Sequence, residues 1–290
     1  MPPVLCGTAA LGNVFRVITD QAKAEIIGEW FRQVPSPVFI EVAYEHGDGM
    51  AIEVLGRALR RLDVAADEVV IQLAANGPVE ECWERCCRLL GEAYRPKLIS
   101  VLGGDEGAWL AASDLKAAGK VHGVGVVAET AQVATSADAR QRLLAREFDW
   151  FTVVGGCTIM RHPPESTSLL FEIVQRQIPV IATRIFEAGF LVGGNKLDGH
   201  AVRFEDESDR SLIAWRKSFV ALCDGHGITP AHACIQFALS LPGVAAVRLE
   251  STYRDRVSDN IRAAVTKVPE NFWLSMKEEG LLEADYPFVG

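Results

Sequence analysis

The chain has 290 residues, 49% of them hydrophobic and 23% charged, which is enough apolar material for a large core and argues against intrinsic disorder. Its formal net charge is -9, and Arg57, Arg60 and Arg61 form the one small basic cluster, so a nucleic-acid surface, which needs concentrated Lys and Arg, is not expected. No apolar run approaches the roughly 20 residues that span a bilayer. The opening MPPVLCGTAALGN lacks the basic start and longer apolar stretch of a secretory leader. A soluble cytoplasmic protein that handles a small molecule is therefore expected, with no membrane and no nucleic-acid partner and with the oligomeric state open. The seven cysteines are odd in number and irregular in spacing, which suits a reducing compartment. Cys82, Cys86 and Cys87 share a helical pattern, but no second Cys/His cluster completes a ligand set, so they read as buried thiols and no metal site is expected.

In chain order, Pro3 to Gly7 is a short strand, followed by a glycine turn and helical spacing around Lys23 to Phe31. Val38 to Val42 is a β-branched run that leads through the polar turn His46, Gly47, Asp48, Gly49 into helical spacing at Ile52, Leu55, Ala58 and Leu59. Asp67 to Leu73 and Val79 to Leu90 make the next strand and helix. Lys97 to Leu102 and Glu106 to Ala118 follow, then Val121 to Val127 and Ala137 to Glu147, then Trp150 to Val154 and Ser168 to Arg176. Pro179 to Arg184 is a seventh strand. A long connection from Ile185 to about Asp209 and a helix over Leu212 to Cys223 come after it. Val244 to Leu249 is the eighth strand, with helices near Tyr253 to Val265 and Phe272 to Gly280. Eight mostly apolar strands separated by helices imply a parallel sheet covered by helices, which at this length closes as one (β/α)8 TIM barrel domain over residues 1–290. The rival open sheet would carry a G-x-G-x-x-G phosphate fingerprint, which GDGMAIEVLG does not have.

GTAALGNVF (7–15), the strand-turn-helix over Phe39 to Leu59, GKVHGVGV (119–126), IPVIATRIFEAGFLVGG (178–194), VRLESTYRDRVSDNI (247–261) and the C-terminal VPENFWLSMKEEGLL stand in the order and spacing of the aldo-keto reductases. Their sum resembles most the branch of L-fucose and D-threo-aldose 1-dehydrogenases. The resemblance implies a barrel of the aldo-keto reductase type whose ancestors bound NADP or NAD. It also implies a catalytic Asp, Tyr, Lys and His at the ends of the second to fourth strands. Counting back from Leu59 puts Glu41 at the aspartate and His46 at the tyrosine, while Ala74 stands at the lysine and Gly103 or Gly104 at the histidine. Tyr44 lies close by without matching the family's acid. Val127 and Ala128 replace the residues that hold the nicotinamide carboxamide, Glu187 and Ala188 follow the seventh strand, and Leu249 and Glu250 replace Pro-Gly after the eighth. Arg256, Asp259 and Asn260 still match the helix that grips the adenosine end, so cofactor binding is divided evidence.

An imidazole titrates at about 6.5 without help, so His46 can act as acid or base at neutral pH where a tyrosine would need a neighbouring cation. Glu41, five residues earlier, is expected either to hold the His46 tautomer or to raise its pKa. Thr8 is a candidate for the pocket mouth or for a turn, and Asp105 for the site or for a helix N-cap. Arg161 and His162 read as a surface loop or an anion site, and Arg184 and Glu187 as substrate contacts at the seventh strand. The leading functional expectation is acid/base chemistry without hydride transfer, of isomerase, epimerase or lyase type, on a sugar-like or polar carbonyl substrate. Glu41 and His46 would handle the proton, aided by Tyr44, Arg184 or Glu187. Two alternatives stand beside it: a nicotinamide-dependent oxidoreductase with His46 in the tyrosine's role, and a non-catalytic binding barrel.

Overall fold

The computed structural model describes residues 1–129, 133 and 136–289. Eight strands close a barrel: β1 (Val4–Gly7), β2 (Val38–Ala43), β3 (Val69–Ala75), β4 (Leu98–Leu102), β5 (Gly123–Glu129), β6 (Trp150–Val154), β7 (Val180–Thr183) and, after a small hairpin of β8 (Lys196–Leu197) and β9 (His200–Ala201), β10 (Val244–Leu249). Each barrel strand pairs in parallel with both neighbours, and β10 closes against β1. The intervening helices are α1 (Asp20–Gln33), α2 (Met50–Arg61), α3 (Val79–Leu90), α4 (Glu106–Ala117), α5 (Ala137–Leu144), α6 (Pro164–Gln175), α7 (Glu207–Gly225), α8 (Pro230–Ser240), α9 (Arg254–Val265) and α10 (Glu270–Glu278). This is a closed (β/α)8 TIM barrel, as the sequence led one to expect. Among the described residues no helix is long and apolar enough to cross a membrane.

Local chemistry sets several of these boundaries. Thr19 and Asp105 cap α1 and α4 by accepting hydrogen bonds from the Ala22 and Ala108 amides at 3.2 and 2.8 Å. Gly49 enters α2 at φ 90°, a left-handed conformation that a side chain would strain. A helix and a hairpin stand where the sequence pattern indicates neither. Helix α8 has Thr229 accepting from the His232 amide at 3.1 Å and Pro230 in its first turn. The β8–β9 hairpin lies within the long connection after β7. Cys86 and Cys87 are buried thiols on α3, whereas Cys82 is half-buried.

Successive side chains of a barrel strand point alternately to the helices and to the interior. The interior floor is apolar: Leu5, Trp150, Ile181 and Ala246 pack together with Phe39 and Leu98. Two residues further along their strands the character changes. Glu41, Ser100, Thr152, Thr183 and Arg248 follow Phe39, Leu98, Trp150, Ile181 and Ala246, and Gln72 joins them from β3. Glu41, Gln72, Ser100 and Thr152 are each 1% exposed. A polar layer therefore lies above the hydrophobic floor, toward the carboxyl ends of the strands, where a barrel of this kind carries its chemistry.

Candidate functional site

Glu41 is the hub of the polar layer. Its Oε1 forms an ion pair with the Arg248 guanidinium, and its Oε2 accepts from Gln72 Nε2 at 3.0 Å. The register explains the meeting: Glu41 lies opposite Gln72 across β2 and β3, and on its other side opposite Gly7, whose missing side chain opens the space between β2 and β10. A Cβ on Gly7 would overlap the Glu250 carboxyl group. Glu250, just past the end of β10, brings Oε1 to 3.4 Å from Arg248 Nε. One guanidinium thus serves two carboxylates. Burial works against the Arg248 charge, and the carboxylates of Glu41 and Glu250 outweigh it. Burial pushes the Glu250 pKa upward and Glu41 adds to the rise, while Arg248 and Arg184 oppose it.

Thr8 ties this cluster to His46. Its hydroxyl donates to the Glu41 carbonyl oxygen at 3.0 Å and lies 3.0 Å from His46 Nδ1. A threonine hydroxyl has a single proton. Since that proton goes to the carbonyl, His46 Nδ1 must be the donor to Thr8, which leaves Nε2 as the basic nitrogen. Burial, with the nearby Arg248 charge added, lowers the His46 pKa to about 4. The ring is a neutral base at physiological pH. This differs from the sequence expectation that Glu41 would raise the imidazole pKa. The Glu41 carboxylate is committed to Arg248 and Gln72, and it is Thr8, supported by the Glu41 main chain, that orients the ring.

The other expected site residues are dispersed. The Tyr44 ring lies beneath the Arg85 guanidinium of α3 at 4.4 Å and beside Gly49, on the helix side of the barrel. Asp105 caps α4 and also lines a groove of about 350 Å³ together with Gly77, Pro78 and Ala108. Glu187 is 6% exposed and accepts from Thr158 Oγ1 at 2.6 Å and from Arg161, whose guanidinium also binds Asp198 at 2.6 and 3.0 Å. Arg161 is therefore an internal clamp, and His162 joins Thr158 to Glu283 through bonds of 2.9 and 2.7 Å. The clamp holds a strained segment, since Arg184, Glu187 and Ala188 have φ of 56°, 50° and 53°. Arg184 is exposed, 3.6 Å from Glu129, and its field reaches Glu250. Arg256 stacks on Tyr253 at 5.0 Å and Asp259 pairs with Arg262. Asn260 is buried beside a small cavity shared with Trp30 and Glu250. Arg16 clasps the same loop, donating to Thr252 Oγ1 at 3.1 Å and to the Tyr253 hydroxyl at 2.8 Å.

The structure brings together Glu41, His46 and Thr8 from the sequence expectation and adds Arg248, Glu250, Gln72 and Ser100. The signal for Arg248 was available: an arginine in the apolar run VAAVRL falls on the interior side by simple alternation with Ala246.

The closed parallel barrel carries its buried ionic cluster at the carboxyl ends of β1, β2 and β10, the end at which barrels of this kind hold their sites. The chain belongs to the aldo/keto reductase family, whose family model matches residues 93–278. Among solved structures, it is similar to an aldo-keto reductase from Klebsiella pneumoniae in complex with NADPH, at 19% identity and a TM-score of 0.67 over 100% of this chain and 95% of that one. A glycerol dehydrogenase from Gluconobacter oxydans aligns at 15% identity and a TM-score of 0.70 over 99% and 95% of the two chains. Among curated proteins no sequence matches.

Proposed function

We propose that this barrel has given up the family's hydride-transfer tetrad and carries out non-redox acid/base chemistry, of isomerase, epimerase or lyase type, on a sugar-like or polar carbonyl substrate. The observation that carries this reading is the state of His46: a half-buried neutral imidazole, donating to Thr8 through Nδ1 and basic at Nε2. Such a ring can take a proton from a carbon next to a carbonyl at neutral pH without a lysine to assist it. Glu41 and Arg248 form the fixed ion pair of the site. The guanidinium is the cation in contact with the carboxylate, in a barrel where Ala74 occupies the lysine position inferred from the resemblance. Arg184, at the open end of β7, is the candidate for an external substrate contact.

The residues present do not fit NADP or NAD in the family's manner. Glu250 fills the space above Gly7 at the end of β10, and Glu187 is locked to Arg161 after β7. Glu250 thus occupies the ground itself, and Glu187 puts a carboxylate along the edge where a negatively charged pyrophosphate would lie, which works against binding it there. No step is therefore routed through a nicotinamide. Family membership alone favours the oxidoreductase reading, and saturable NADPH binding with hydride transfer would establish that reading in place of ours.

The direct test is proton exchange. D-Xylose, L-fucose and glyceraldehyde incubated with the protein in D2O are expected to take up deuterium at the carbon next to the carbonyl, followed by NMR. His46→Ala is expected to lower the exchange rate on the order of 100-fold or more, the usual contribution of a positioned base. Undiminished exchange in that variant would sink the proposal.

A further inference from the structure

We propose that Glu250 is the proton donor that works opposite His46 across the carboxyl end of β1. This inference rests on the acid/base reading above and deepens it, supplying an acid distinct from Glu41, whose carboxylate is bound to Arg248 and Gln72.

The geometry has three parts. Glu250 lies against Gly7 and His46 is hydrogen-bonded to Thr8, so two consecutive residues of one strand end hold the two groups on neighbouring ground. Arg248 connects them electrically, since it contacts Glu250 and its charge is felt at His46. Charge balance then decides where the proton resides. Two carboxylates and one guanidinium would carry a net negative charge in a largely buried site, and burial disfavours an uncompensated charge. Glu41 holds the short ion pair and a second bond from Gln72, whereas Glu250 has only the 3.4 Å approach to Nε and no hydrogen-bond partner for its buried Oε1. The proton therefore sits on Glu250, in keeping with the upward shift that burial gives its carboxyl group. A pair whose surroundings push one group toward the neutral base and the other toward the neutral acid is the arrangement that proton-transfer enzymes use.

The step balances without any redox partner. His46 Nε2 takes the proton from the carbon beside the carbonyl, and the C–H electron pair becomes the C=C bond of an enediol. The carbonyl π pair moves to oxygen, which receives the Glu250 proton. The site then holds an imidazolium and a carboxylate beside Arg248, with its net charge unchanged. The imidazolium then protonates the former carbonyl carbon, while the hydroxyl on the carbon that lost its hydrogen gives its proton to Glu250 and becomes the new carbonyl, which completes an isomerisation.

Two measurements on the intact protein test this. The first is infrared difference spectroscopy of wild type against Glu250→Gln at neutral pH, in which a protonated-carboxyl stretch that disappears in the variant is expected. Its absence would overturn the donor assignment, whatever the substrate. The second is turnover of the same three sugars. Glu250→Gln is expected to lower both isomer formation and the His46-dependent deuterium exchange on the order of 100-fold, and Glu250→Asp to restore part of both rates. Isomer formation by Glu250→Gln at the wild-type rate removes Glu250 as donor and leaves His46 standing. A wild-type protein that shows the carboxyl band but neither exchanges nor isomerises any of the three sugars overturns the parent reading, and with it the catalytic role of Glu250.

Discussion

At the scale of single residues, the state of His46 follows from one hydroxyl proton. Thr8 can donate once, and its donation to the Glu41 carbonyl assigns the histidine tautomer. The same burial that keeps the ring neutral couples it to stability. The folded protein holds His46 at about 4, against 6.5 for the free side chain. Between these values the unfolded chain binds the extra proton, so stability rises with pH from about 4 to 6.5 and is lost on acidification through that window. Allowing for solvent screening at a half-exposed ring, the loss is on the order of 1–2 kcal/mol. His46→Gln, which keeps a donor for Thr8, is expected to flatten this slope relative to wild type in urea titrations between pH 4 and 7; an unchanged slope would show that the ring is not held neutral. His46 and Glu41 were legible from the sequence because the strand-turn-helix around them has a fixed count. For Arg248 the alternation with Ala246 indicates the interior side, but its partner was not legible, because nothing in the β10 run tells that closure of the barrel brings Glu41 of β2 to it. Tyr44 shows the converse error of proximity: two positions from His46 in sequence, it faces Arg85 on the helix side.

At the scale of elements, strand positions were readable because a strand buried on both faces is a continuous apolar run, and Trp150–Val154 and Val244–Leu249 begin and end where the sequence suggested. Helix α8 is hard to read from the sequence because PAHACIQFALS has no strong amphipathic period, although Thr-Pro at its start is a capping signal. The barrel floor holds a sharper constraint, invisible in one strand alone. A Cβ on Gly125 of β5 would overlap the Trp150 indole of the neighbouring β6. Gly125→Ala is expected to destabilise the protein by about 3 kcal/mol, at the upper end of overpacking costs, and Gly125→Ala/Trp150→Phe to recover much of that loss because the smaller ring vacates the overlap. A double variant no more stable than the single one would mean that the glycine serves the backbone and not the tryptophan.

At the scale of the whole molecule, the C-terminal segment fastens parts of the barrel that lie far apart in sequence. Tyr286 stacks on Phe237 of α8 with ring centroids 5.2 Å apart and meets the His162 edge at 4.9 Å. Phe288 lies 5.8 Å from Phe171 of α6, and Lys277 donates to the Val289 carbonyl at 2.8 Å. Tyr286 is 8% exposed, yet its hydroxyl is buried without a hydrogen-bond partner. The ring and the hydroxyl therefore act in opposite directions. The ring contributes apolar burial and aromatic packing, and its loss in Tyr286→Ala is expected to cost about 3 kcal/mol. The hydroxyl pays a desolvation penalty with nothing in return, so Tyr286→Phe is expected to be neutral or stabilising by about 1 kcal/mol. Paired thermal melts separate the two: a fall in Tm for the alanine variant beside an equal or higher Tm for the phenylalanine variant is the expected pattern. A fall in both would show that the hydroxyl has a partner in solution, most simply a bound water, and that the segment is fastened by a polar contact as well as by its rings.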